Sequence, residues 1–258
     1  MSLPPEQLER YNRNIAIGEV GEKGQERLLK SKVLIVGAGG LGSSCSLYLA
    51  AAGIGTLTII DSDKVDLSNL QRQILYFTQD IDSRKVDSAR QKINMLNPDI
   101  KVITHHERVG AHNIRDFIEE NDFVIDASDN FSAKFLINDA CVLMEKPYSH
   151  AGVIQFGGQT LTYTPGCTCY RCIFESPPPE GTYLSPAEAG ILGSVAGLVG
   201  TIQATEAIKF LLGIGDLLTN KLLIYDGYTM SFNSVDIEKN DNCPICGRNP
   251  TITELINC

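Results

Sequence analysis

Apolar and polar positions follow two periods along the first part of the chain. Four short apolar runs, Val33–Val36, Leu57–Ile60, Val102–His105 and Phe123–Ala127, have the length and branched-residue content of strands covered on both faces. Helical spacing fills the gaps between them. The stretch after Gly42 carries Leu47, Leu49 and Ala50–Ala52, and Ser83–Leu96 predicts a helix with Ser83 as N-cap and Asn97-Pro98 as the stop. Ala111–Glu120 and Ala133–Met144 predict two more helices. Ahead of all of these, Pro5–Ile17 holds Leu8, Tyr11 and Ile15 at helical spacing, and Gln25–Leu29 predicts a short helix. Strands alternating with helices imply a parallel sheet with helices on both faces.

The pattern changes near residue 148. Tyr148–Phe156 and Gln159–Thr164 flank Gly157-Gly158, the signature of a β-hairpin. Pro165–Pro186 is rich in Cys and Pro and poor in periodicity, and a loop of that length points to a function. Gly190–Leu212 is glycine-rich and then helical, and Leu222–Tyr225 and Met230–Val235 predict strands around Asp226-Gly227. The expected fold class is α/β: a Rossmann-like, mainly parallel sheet extended by antiparallel strands and a crossover loop. Residues 1–258 read as one domain, with a helical arm (1–30), a nucleotide-binding half (31–147) and a second half (148–258).

Composition narrows the function. A hydrophobic share of 43% in 258 residues suffices for a full core. The net charge of −9, from 22 basic and 31 acidic residues, argues against a nucleic-acid backbone as the main partner. No charged start leads into an apolar stretch and no apolar run nears ~18 residues, so neither a signal peptide nor a membrane span is expected, and the cytoplasm is the default location. Eight Cys in a reducing compartment point to metal or catalytic use before disulfides.

The chemistry begins at Gly37-Ala38-Gly39-Gly40-Leu41-Gly42, between a predicted strand and helix, with Asp61 closing the next strand. This is the dinucleotide-binding fingerprint. Gly37 permits the turn, Gly39 and Gly40 let phosphate approach the backbone, and Gly42 lets the helix pack closely. Asp61 is placed to hold a ribose hydroxyl. Asn69, Arg72 and Gln73 follow, then Lys85 at a helix start and Asp129 after another strand. Cations and a Mg²⁺-holding carboxylate suit a triphosphate. Taken singly, Arg72 and Lys85 read as well as surface charges, Asp129 as a helix cap and Asn69 as a turn residue. Two C-x-x-C pairs, Cys169/Cys172 and Cys243/Cys246, suit a closed tetrahedral Zn²⁺ site; the alternative is a redox dithiol in one pair. Cys167 is an extra thiol beside them, Cys45 and Cys141 fall on helical patterns as small core residues, and Cys258 is terminal. Among the histidines, His105, His106 and His112 read as surface or structural, and His150 as a packing or hydrogen-bonding residue.

Arg10-Tyr-Asn-Arg13, Gly37–Gly42, Asp61 through Gln73, Lys85, Asp129 and the Cys pairs together resemble the MoeB/ThiF/HesA adenylyltransferases, bacterial relatives of the ubiquitin-activating enzymes. The resemblance implies that the C-terminal Gly-Gly carboxylate of a small ubiquitin-like sulfur-carrier protein attacks the α-phosphate of ATP, giving an acyl adenylate and pyrophosphate. It implies ribose binding by Asp61 and phosphate approach at the glycine turn. Triphosphate contacts fall to Asn69, Arg72, Gln73 and Lys85, and Mg²⁺ to Asp129. Structural zinc sits at the four Cys, and the second half of the chain binds the carrier. Arg13 becomes an arginine finger reaching across a homodimer. Many such relatives carry Cys before Ala187-Glu188-Ala189-Gly190, where this chain has Pro186. Proline has no nucleophile, so activation is expected to stop at the acyl adenylate, with a separate sulfur donor attacking it. Alternative readings are activation of a peptide or tRNA-linked carboxylate, an NAD-dependent oxidoreductase resting on the glycine turn alone, and a non-catalytic adaptor.

Overall fold

The computed structural model describes residues 3–179 and 186–256. Its strands are β1 (Lys32–Val36), β2 (Thr56–Ile60), β3 (Lys101–His105), β4 (Phe123–Asp126), β5 (Tyr148–Ile154), β6 (Gly157–Tyr163), β7 (Lys221–Asp226) and β8 (Ser231–Asp236). They form one sheet in the order β3-β2-β1-β4-β5-β6-β7-β8. The first five run parallel and the last three join antiparallel. The helices are α1 (Pro5–Arg10), α2 (Asn12–Ile15), α3 (Gly21–Lys30), α4 (Gly40–Ala52), α5 (Lys85–Leu96), α6 (Ile114–Glu119), α7 (Phe131–Leu143), α8 (Tyr170–Ile173), α9 (Pro186–Ala189) and α10 (Gly193–Leu212).

The sheet is buried on both faces because alternate side chains of each central strand enter different cores. Val33 and Ile35 of β1, Leu57 and Ile59 of β2 and Ile125 of β4 pack with Leu49 of α4, Ile93 of α5 and Val199 of α10. Leu34, Val36 and Val124 face the other way, onto Ile118 of α6 and Leu136 and Ile137 of α7. The strand order turns back between β1 and β4, which opens a crevice beyond their carboxyl ends.

Several expected boundaries moved. The predicted cap Ser83 lies outside its helix: α5 starts at Lys85 after Arg84, and Ser83 instead accepts from the Val65 N–H beside the Lys64–Arg84 bridge. The hairpin after residue 148 exists, but its turn is Gln155-Phe156, with Gln155 at φ 51°, and Gly157-Gly158 lie inside β6. Gly158 serves packing: a Cβ there would sit 2.5 Å from Val199 Cγ2 of α10. α10 forms where a helix was expected, within Gly190–Leu212. An 18-residue window in it averages a hydropathy of 1.3, enough by length and composition to cross a membrane, although Thr, Gln and Glu break any simple apolar run. Here it is a core helix. Gln203 Nε2 donates to the Asp126 and Ser149 carbonyls at 2.9 and 3.0 Å, and Glu206 Oε2 accepts from Thr162 Oγ1 and the Leu218 N–H at 2.6 and 2.7 Å. Gly200 of α10 meets α4 so closely that a Cβ would overlap the Leu41 carbonyl oxygen and Ser44 Oγ.

Candidate active site

A cavity of about 810 Å³ occupies the crevice at the carboxyl ends of the parallel strands. Gly37, Gly39, Gly40, Asp61, Arg72, Gln73, Lys85 and Asp129 all line it. At Gly37 the backbone φ is +98°, and a Cβ would press to 2.6 Å from the Ala127 carbonyl oxygen of the neighbouring turn. Gly39 is the N-cap of α4 and offers no side chain to the helix's first N–H groups, which stay available to an anion. The turn is braced from two sides. Asp61 Oδ2 accepts from the Ala38 N–H at 2.8 Å, and Tyr76 Oη donates to the Ala38 carbonyl at 2.8 Å. Asp61 Oδ1 also takes the Asp63 N–H at 2.8 Å. An ionised carboxylate has about four acceptor positions, so these bonds leave it capacity for a hydroxyl donor.

The polar groups around this turn are only partly committed. Lys85 is 5% exposed, and its Nζ is paired to Asp63 Oδ2 at 2.9 Å. Asp63 went unnoticed in the sequence, where it is one of three aspartates in a polar run. Gln73 is 4% exposed, and its Oε1 has no hydrogen-bond partner among the described residues. Arg72 Nη1 donates to the Ser68 carbonyl at 3.0 Å. Asp129 is exposed at the rim, and the cap of α7 is Asn130, whose Oδ1 accepts from the Ala133 N–H at 2.9 Å, so Asp129 is released from the capping role.

Three residues of the expected set do not line the cavity; Asn69 was expected there, Gly42 was expected to pack behind the turn and Arg13 to act on another copy. Asn69 is outside the cavity lining and forms a reciprocal cap with Asp66, accepting its N–H at 3.3 Å. Gly42 lies within α4 behind the turn, where a Cβ would overlap the Gly37 carbonyl oxygen. Arg13 is exposed on α2, away from the cavity of its own chain.

The cavity floor holds a buried charged cluster that sequence reasoning missed. Asp126 closes β4 with no exposure. Its Oδ1 accepts from Ser128 N at 3.1 Å and Ser128 Oγ at 2.5 Å, and its Oδ2 from His150 Nδ1 at 2.8 Å. Lys134 Nζ is 3.5 Å from Asp126 Oδ2 and donates to the Ser128 and Ala151 carbonyls at 2.8 and 2.6 Å. Burial pushes the Asp126 carboxyl up, but the Lys134 ammonium, the His150 contact and Ser128 outweigh it and hold the carboxyl at about 2. Burial and the Lys134 charge push His150 below its usual value, against the pull of Asp126, so the imidazole is uncharged at neutral pH. His150 therefore has the hydrogen-bonding role expected of it. The signals available were an acid ending an apolar strand and a lysine inside an apolar helix.

In the core under α6 and α7, the sulfurs of Cys169, Cys172, Cys243 and Cys246 lie within 4.8 Å of one another. Individual pairs are 3.4–4.0 Å apart. Tetrahedral zinc with Zn–S near 2.3 Å calls for sulfurs about 3.8 Å apart, so the set fits the ion. Cys167 is not part of the set; its Sγ accepts from Thr164 Oγ1 at 3.3 Å. Cys45 and Cys141 are buried in the two cores, as expected, and Cys258 lies outside the described residues.

Comparison with known proteins follows this geometry. The profile of the ThiF family matches residues 11–245. A SAMP-activating enzyme E1 of Haloferax volcanii is 44% identical over 247 residues, covering 96% of this chain and 92% of the relative. A sulfur carrier protein adenylyltransferase of Thermus thermophilus is 42% identical over 263 residues, covering 100% of this chain and 97% of the relative. The chain spans only 58% of another relative, the adenylyltransferase and sulfurtransferase MOCS3 of Culex quinquefasciatus, at 42% identity over 97% of this chain. Among solved structures, E. coli MccB shares the fold, with a TM-score of 0.80 at 23% identity over 96% of this chain and 75% of that one.

Proposed function

Because this chain belongs to the ThiF family, we propose that it is an ATP-dependent adenylyltransferase acting on the C-terminal carboxylate of a small ubiquitin-like sulfur-carrier protein. The observation that carries the reading is the convergence of Asp61, Arg72, Gln73, Lys85 and Asp129 on one cavity over an uncapped helix N-terminus. A carboxylate oxygen of the carrier attacks the α-phosphorus. The new O–P bond forms as the bond to the bridging oxygen breaks, and pyrophosphate leaves. No proton moves, because the carboxylate is already ionised at neutral pH. Catalysis then consists of aligning two anions and stabilising the charge that moves onto pyrophosphate.

In this scheme Asp61 holds the ribose, the Gly37–Gly40 backbone and α4 receive phosphate oxygens, and Arg72, Gln73 and Lys85 engage the triphosphate. Asp129, exposed at the cavity rim, would hold Mg²⁺, which would offset charge on the phosphates when bound. Arg13, exposed on α2, would act on a neighbouring copy in a homodimer. The four Cys would hold zinc as a closed site, which supplies cross-linking rather than chemistry. Pro186 opens α9, where its fixed φ suits a first helical position, and it offers no thiol to accept the acyl group. Activation thus ends at the acyl adenylate, and a separate sulfur donor completes the transfer.

The test is ATP–pyrophosphate exchange with added carrier. Exchange should require a carrier ending in Gly-Gly, and the wild type should form no thioester. Absence of exchange with every such carrier defeats the proposal.

A further inference from the structure

Lys134 has a donor to spare. It lies on α7, is 8% exposed and lines the cavity. An ammonium has three N–H donors and no acceptor. Two are spent on the Ser128 and Ala151 carbonyls. The third faces Asp126 at 3.5 Å, an ion pair without a formed hydrogen bond. Asp126 takes its three hydrogen bonds from Ser128 N, Ser128 Oγ and His150 Nδ1, so Lys134 meets it through charge alone and keeps that N–H uncommitted.

Its position is distinctive. Among the described lining residues the other two Lys/Arg cations, Arg72 and Lys85, follow β2, and Lys85 is committed to Asp63. Lys134 instead bridges the turn after β4 and the middle of β5, through the Ser128 and Ala151 carbonyls. A nucleotide anchored at Asp61 after β2 and crossing the glycine turn after β1 brings its phosphates toward Asp129 after β4. The second substrate must then lie over β5 and β6, where Gly152 and Gly157 line the cavity without side chains and leave room for an extended glycine tail. The end of that tail meets the β4–β5 boundary. A carboxylate entering there stands beside two acids, Asp126 and Asp129, and needs a compensating cation as it loses water.

We propose that the third N–H of Lys134 receives the terminal carboxylate of the acyl substrate, so that Lys134 makes the site select a free carboxylate. The proposal rests on the adenylation reading above, and the two fail separately: absence of exchange by the wild type defeats that reading before this test begins.

The probe is the Gly-Gly-ended carrier that supports exchange, compared with the same carrier made as its C-terminal carboxamide. Both are titrated calorimetrically into the protein without ATP. A charge-assisted hydrogen bond predicts at least about tenfold tighter binding of the carboxylate by the wild type. Lys134→Met should bring the ratio to about twofold or less while ATP affinity stays within about threefold of wild type. Lys134→Arg should restore most of the ratio. Equal binding of the two carriers by the wild type overturns the proposal even if Lys134→Met does not fold. So does a folded Lys134→Met that keeps the full preference.

Discussion

The contact between α4 and α10 gives two neighbouring glycines opposite responses to the same substitution. Gly197 and Gly200 are one turn apart on α10. Around Gly197 a Cβ meets nothing within 4 Å. At Gly200 it would overlap the Leu41 carbonyl oxygen and Ser44 Oγ and come within 3.1 Å of the Leu41 carbonyl carbon. Intrinsic helix propensity favours Ala over Gly by about 0.8–1 kcal/mol. Gly197→Ala should therefore stabilise the protein by about that amount. Gly200→Ala gains the same term but must push two helix backbones apart, and the obstacle is a main-chain oxygen rather than a movable side chain. That puts the overpacking cost at the upper end of its range, about 3 kcal/mol, for a net loss of about 2 kcal/mol. Urea unfolding of both variants measures the difference, expected to be about 3 kcal/mol with opposite signs. α4 starts at the glycine turn, so Gly200→Ala should also weaken ATP binding in a titration that leaves Gly197→Ala unchanged. If both variants gain stability equally, the close α4–α10 packing described above is wrong.

Arg72→Ala should abolish carrier-dependent pyrophosphate exchange while leaving the circular dichroism spectrum and unfolding midpoint near wild type. Freshly purified protein should carry about one zinc per chain by metal analysis; Cys243→Ser should lose it, and Cys167→Ser should keep it. Acid should destabilise the protein in two steps. His150 lies below its usual 6.5, so its contribution is complete above 6.5 and is lost as pH falls through the lowered value; Asp126, held at about 2, gives a contribution that is complete above 3.8 and lost as pH falls through about 2. His150→Gln should flatten the first step in urea-derived stabilities between pH 7.5 and 5, and an unchanged slope would contradict the uncharged imidazole.

The strands and helices were legible because β1, β2 and β4 are buried on both faces, which leaves unbroken apolar runs such as Val33–Val36. The glycine turn, Asp61 and the C-x-x-C pairs were legible because their chemistry is local in sequence. The hairpin turn was misplaced at Gly157-Gly158 because glycine marks both turns and close packing, and only the position of Val199 separates the two. Ser83 was misread because the chain there pairs with the segment around Val65, a contact that no local pattern carries. Lys134 and Asp126 escaped notice for a related reason. Their partners, Ala151 and His150, come from a strand that follows α7, so their charges are matched only once β4 and β5 lie side by side.

The four-thiol cluster also sets a timetable for biosynthesis. Its first pair is translated at residues 169–172 and its second only at 243–246, after the whole sheet. A ribosome-bound chain therefore presents a bare dithiol throughout synthesis of α10, β7 and β8, and gains a full ligand set only once residue 246 has been added. Copies interrupted before residue 243 keep that dithiol and lack the four-thiol site, so metal loading separates them from chains that carry both pairs.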